Sequence, residues 1–154
     1  MHEPIAIATA GPLDKAQRAS LRAIAALIVP ASRDYDVPGA DDPIIFADLL
    51  RTLDRDGAAV VAALTRLDEL AGSQFAALDA AGQRETALRF REAEPVHAGL
   101  LGAVVVRSYY RDDRVMRSLG MEVRPPYPQG FEVEEGDWSL LDPVRTRGAI
   151  WRQT

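Results

Sequence analysis

Along residues 13–119 the apolar positions recur every three or four residues, the mark of amphipathic helices. The first run predicts a helix starting at Asp14, whose carboxylate can accept from first-turn N–H groups while Gln17 completes a capping box. Leu21, Ile24 and Ile28 form its stripe, and Pro30 ends it near Val29. After a loop holding Tyr35, Pro38 and Gly39, Asp42 caps a second helix with Pro43 at its first position, where a missing N–H does no harm. Phe46, Leu49, Leu50 and Leu53 make its apolar face. A break at Asp56 and Gly57 leads to a third helix through Val60, Leu64, Leu67 and Ala71, closed by Gly72.

Phe75 and Leu78 look like a staple ahead of a fourth helix, capped by Asp79, running to about Glu94 and presenting Leu88 and Phe90. Pro95 then opens VHAGLLGAVVVRSYY, apolar nearly all round and so expected to be the central buried helix. Gly99, Gly102 and Ala103 are expected to let neighbouring helices approach it closely. A short helix from Asp113 to Leu119 ends at Gly120. No internal repeat and no sustained alternation of period two is present. The predicted class is all-α, an irregular bundle of about five or six helices with an extended, Pro- and aromatic-rich C-terminal arm. The organisation read from the chain is a flexible N-terminus (1–12), a helical domain (13–119) and an irregular arm (120–154) packing on that domain, on a partner, or on both.

The arm is where the pattern changes. It holds Pro125, Pro126, Pro128 and Pro143, both tryptophans, Tyr127 and Phe131. The first three prolines forbid a regular helix around them, and loops this long are uncommon unless functional or disordered. Disorder fits poorly with so many large aromatics. Such an arm needs a surface to lie on.

Composition narrows the possibilities further. A chain of 154 residues, 47% hydrophobic and 27% charged, suits one domain with an ordinary core. A net charge of −5 without a basic cluster argues against nucleic acid or anionic membrane as partners. Of 18 basic residues only Lys15 is a lysine, a bias that base composition explains and that guanidinium–carboxylate pairing at interfaces also fits. The absence of cysteine removes disulfides, thiolate metal sites and a Cys nucleophile. The N-terminal residues carry no Arg or Lys before a short apolar stretch, so they do not read as a secretory leader. The least charged stretch, residues 95–108, is too short to cross a bilayer, so no direct membrane insertion is expected. The expected location is therefore cytoplasmic, or periplasmic on co-export with a partner that carries a leader.

Candidate chemistry is sparse. His2 lies near the terminus, and His97 near the start of the apolar helix reads as a packing histidine. No Glu-x-x-His or comparable ligand spacing is present, and no glycine-rich phosphate cradle. The acidic pairs Asp41–Asp42 and Asp112–Asp113 stand where helix N-caps are needed, which favours capping over acid–base work. A third pair, Glu134–Glu135, lies in the arm. No catalytic, metal or cofactor site is predicted.

What remains is a constellation of aromatics and arginines: Tyr109, Tyr110, Arg111 and Arg114, then Tyr127, Phe131, Trp138, Trp151 and Arg152. Trp, Tyr and Arg are the residues that most often anchor interfaces. They also close cores, and the residues alone leave both readings open.

Four segments carry a family resemblance. LDKAQRASLRAIAALIVPAS looks like the opening of the gluconate 2-dehydrogenase subunit 3 family, in which a helix ends in an Ile-Pro or Val-Pro step. FAALDAAGQRETALRF is similar to its Phe-x-x-Leu … Gln pattern, and VVVRSYYRDDRVMRSLGM resembles its aromatic–Asp–Pro–Arg segment, with Asp113 in place of the usual Pro. GFEVEEGDWSLLDPVRTRGAIWR looks like the tail of one subgroup. The resemblance implies a non-catalytic accessory subunit that stabilises, matures or escorts a large flavin-dependent dehydrogenase of the glucose–methanol–choline type, acting on sugars or alcohols. The FAD would belong to that partner, and a cytochrome subunit sometimes completes such complexes. The alternative is a self-contained helical binding module or homodimer with no flavoprotein partner.

Overall fold

The computed structural model describes residues 13–125, 127–130 and 135–147. Among them are seven α-helices and no β-strand; the one bridge joins Ser32 to Val37 within a loop. The fold is all-α, as the periodicity predicts. The chain divides between Val123 and Arg124 into two compact units.

Six helices build the first unit: α1 (Lys15–Ile28), α2 (Pro43–Arg51), α3 (Gly57–Ala71), α4 (Ala80–Ala93), α5 (Pro95–Tyr109) and α6 (Asp113–Ser118). Their starts are chemical. Asp14 accepts from the Gln17 N–H at 2.8 Å while Gln17 accepts from the Asp14 N–H at 3.0 Å, a full capping box. Asp42, Asp79 and Asp112 cap α2, α4 and α6 by accepting first-turn N–H groups. Gly72 closes α3 at φ 69°, a left-handed conformation that costs glycine least.

The core is drawn from every helix of this unit. Leu21, Ile45, Leu49, Val60, Leu64, Leu67, Leu101, Val104, Val105 and Val115 are all buried. Phe75, expected ahead of the fourth helix, opens a 3₁₀ turn (Phe75–Ala77) there and is wholly buried. Its N–H donates to Asp68 Oδ1 at 2.8 Å, and the same oxygen accepts from Ser20 Oγ at 3.1 Å. One α3 carboxylate thus ties α1 to the turn before α4.

Helix α5 packs against α1, α2, α3 and α4, the central position expected of it. Its outer face differs from expectation. Nothing lies within 4 Å of a Cβ built on Gly99 or Gly102, Ala103 is exposed, and Val96 is 82% exposed. The small residues face outward and bring no helix close. Four neighbours surround α5 on one side only, so an apolar composition all round leaves an apolar outer stripe. Leu88 likewise faces out of α4, at 54% exposure, while Phe90 points in.

The unit runs slightly past the boundary read from the sequence. Gly120 turns at φ 71° and the Met121 N–H returns to the Met116 carbonyl at 3.0 Å, so the closing turn of α6 extends beyond residue 119.

The second unit, residues 124–154, contains a 3₁₀ turn (Trp138–Leu141) running into α7 (Asp142–Thr146). Asp137 caps the turn, accepting from the Ser139 N–H at 3.0 Å and from its hydroxyl at 2.6 Å. These bonds hold the Asp137 carboxyl below its usual range, the Ser139 hydroxyl contributing most. Pro143 sits in the first turn of α7, where it needs no N–H. A short helix therefore forms in the arm, downstream of Pro125 and Pro128.

Candidate partner-binding surfaces

The aromatic and arginine residues singled out from the sequence fall into two settings. Tyr109, Tyr110, Arg111 and Arg114 lie at the junction of α5 and α6. Tyr109 is 5% exposed, and its hydroxyl donates to the Pro38 carbonyl at 3.2 Å. Burial raises its phenol above the usual value, with the neighbouring Tyr110 and Asp112 adding to the shift. The bond pins the loop between α1 and α2, which is held elsewhere by the Ala40 N–H to the Val29 carbonyl at 2.9 Å. Tyr110 meets Tyr109 edge-on, ring centroids 5.3 Å apart at 83°, and keeps half its surface exposed.

The arginines of this segment have intramolecular partners. Arg111 pairs with Asp48 of α2. Arg114 Nη2 lies 2.8 Å from Asp42 Oδ1 and 2.9 Å from Asp112 Oδ2, and its Nε reaches Asp112 Oδ1 at 2.9 Å. Both carboxylates are already N-caps, so one guanidinium joins the starts of α2 and α6. The Arg114 hydrogen bonds are the main cause holding Asp42 and Asp112 below the ordinary carboxylate range, against an opposing desolvation. Arg114 is raised in turn, by Asp112 first and then Asp42. Of the four residues, Tyr110 presents the most free surface. Tyr109 is spent on the core and both arginines on internal ion pairs.

The arm supplies the opposite setting. Tyr127 is 87% exposed and Trp138 68%, with Leu140 and Val144 also exposed. Neither the 3₁₀ turn nor α7 contains a buried residue. Arg124 Nη2 donates to the Gly130 carbonyl at 2.7 Å, closing the proline-rich turn that presents Tyr127. Phe131, Trp151 and Arg152 lie outside the described residues.

One surface escaped sequence reading. Helices α1, α4 and α5 enclose an apolar groove of about 660 Å³, floored by Ile24, Phe90 and Leu101 and edged by Leu88 and Gly99. Arg84 and Arg91 also line it. The signal available was Leu88 itself, set on the polar side of α4 between two arginines.

His97 Nδ1 lies 3.0 Å from Glu94 Oε2, and Glu94 also takes Arg66. Arg66 first and His97 second lower the Glu94 carboxyl. Among the described residues no group of three His, Cys, Asp or Glu could hold a metal ion, and no helix is long and apolar enough to cross a membrane. Comparison of the chain with protein-family models, with curated proteins and with solved structures finds no match.

Proposed function

We propose that this chain is a non-catalytic accessory subunit that stabilises, matures or escorts a large flavin-dependent sugar or alcohol dehydrogenase, engaging it through the C-terminal arm. The observation that carries the reading is the exposure of Trp138, Leu140 and Val144 on a capped helical segment with no buried residue of its own. Exposed large apolar residues gathered on one short element mark interaction sites, and Trp is the strongest single anchor type. The four segments that resemble the gluconate 2-dehydrogenase subunit 3 family supply the kind of partner. In this reading FAD and catalysis reside in the partner, a cytochrome can join the complex, and the compartment follows the partner's leader.

The test is an affinity pull-down of the tagged chain from its native host, with an absorbance spectrum of what co-elutes. A large subunit with flavin bands supports the reading. Trp138→Ala or Trp151→Ala should then weaken assembly by about 2 kcal/mol or more for a true anchor. Unchanged assembly in both would remove the arm from the interface.

A second reading is supported by the core. Among the described residues, every member of the buried cluster lies between Leu13 and Val115, so the helical unit has a core of its own. A self-contained helical binding module, or a homodimer, is what a colourless, monodisperse pull-down would leave standing.

A further inference from the structure

We propose that the groove between α1, α4 and α5 is a second docking surface, and that its occupant is an amphipathic helix of a partner protein bearing carboxylates about seven residues apart. The inference does not rest on the flavoprotein reading, because the groove lies wholly within the helical unit and is built from residues outside the arm.

Three observations point the same way. The floor of Ile24, Phe90 and Leu101 is core already, yet about 660 Å³ above it is left open. Leu88 stands at the rim 54% exposed, a large apolar side chain on the side of α4 that a solvated helix would make polar. Gly99, which also lines the groove, presents bare backbone, with nothing within 4 Å of where its Cβ would be. A bulky residue there would fill the space a guest side chain needs.

Charge decides the occupant. Arg51, Arg66, Arg107, Arg111, Arg114, Arg117 and Arg145 all pair with carboxylates of this chain. Among the described residues Arg18, Arg22, Arg33, Arg84, Arg89, Arg91 and Arg147 have no such carboxylate partner, and of these Arg84 and Arg91 line the groove, although the chain as a whole is acidic. They bracket Leu88 on one stripe, two turns or about 10.5 Å apart along the helix. Glu85 and Glu92 lie one position on, about 100° further round, and do not line the groove. A facing helix repeats at the same pitch, so apolar residues filling the groove and acids seven apart would meet Leu88 and both guanidinium groups together. Planar guanidinium is the group best suited to take a carboxylate at such a rim.

The test uses the full chain and two synthetic, fluorescein-labelled amphipathic peptides of about five helical turns. They share one leucine face, flanked by glutamates seven apart in one and lysines in the other. Anisotropy should show saturable binding of the glutamate peptide, at least about tenfold tighter than the lysine peptide. The double variant Arg84→Glu/Arg91→Glu should reverse that order, and Gly99→Leu should abolish binding of both. Circular dichroism checks that each variant keeps its helices, which is expected because all three positions are exposed. Equal binding of the two peptides, no binding of either, or binding that survives Gly99→Leu would overturn the proposal. So would concentration-dependent self-association that Gly99→Leu abolishes, since the occupant would then be a second copy of this chain.

Discussion

The Arg114 guanidinium lies 2.8 Å from the Asp42 carboxylate, joining the first turn of α6 to the first turn of α2 across 72 residues of chain. Asp112 completes the set, so two helix caps share one cation. The Arg114 side chain keeps 39% of its surface in water, which limits what the pairing can contribute. Replacing it with Met should still cost about 1–2 kcal/mol in urea unfolding at neutral pH, because the little-exposed Asp112 and the Asp42 beside it lose a shared counter-charge. The pH dependence has a definite sign. Both carboxyls are lowered in the folded state. Their stabilisation is therefore complete above the unfolded aspartate value of about 3.9 and is lost as pH falls through the lowered folded values. The difference between wild type and Arg114→Met should shrink in acid; a difference constant down to pH 3 would show that packing, not charge, is responsible.

Tyr109→Phe isolates the bond to the Pro38 carbonyl. Its loss should cost about 0.5–1.5 kcal/mol, whereas Tyr110→Phe should be near neutral. The same variant should change the alkaline limb. The folded phenol titrates above its ordinary value. Its contribution is thus present below the unfolded value of about 10 and lost as pH rises through the folded one. Phe at this position should weaken the fall in stability above pH 10.

Two glycines should respond in opposite directions. A Cβ on Gly39 would stand 2.5 Å from Asp41 Oδ1 and 2.9 Å from the Ala31 backbone nitrogen. Gly39→Ala should therefore lower the melting temperature, with a loss of about 1–3 kcal/mol as the loop moves. Gly102 sits in α5 with open space around it. Gly102→Ala should stabilise by about 0.5–1 kcal/mol through helix propensity and the unfolded chain.

Ser108 Oγ is buried in α5 and, among the described residues, is the buried side-chain polar atom without a hydrogen-bond partner. Removing an unpaired buried hydroxyl relieves its desolvation. Ser108→Ala should be neutral or stabilising by up to about 1 kcal/mol in denaturant titration. A clear loss would show that the hydroxyl bonds to a group not yet identified.

Much of the fold was legible because helix starts and stops are local chemistry. Asp14 with Gln17, Asp42 with Pro43, and Gly72 act within one turn, so spacing along the chain is enough to read them. The candidate site was legible only as a set of residue types. Tyr109 and Trp138 look equally suited to anchor an interface in the sequence, yet one is buried and the other 68% exposed. Nothing local separates them: which aromatic closes a core depends on whether another element covers it.

By itself, then, the sequence determined the class and the order and caps of the helices. Those properties follow from periodicity and from side chains acting over one or two turns. Tertiary structure alone decided that Arg114 would serve Asp42, that Gly99 and Leu88 would edge an open groove rather than a helix contact, and that Arg84 and Arg91 would be left over on its rim. Each depends on which faces meet across long stretches of chain, and an amphipathic pattern states that a face is apolar without stating what covers it.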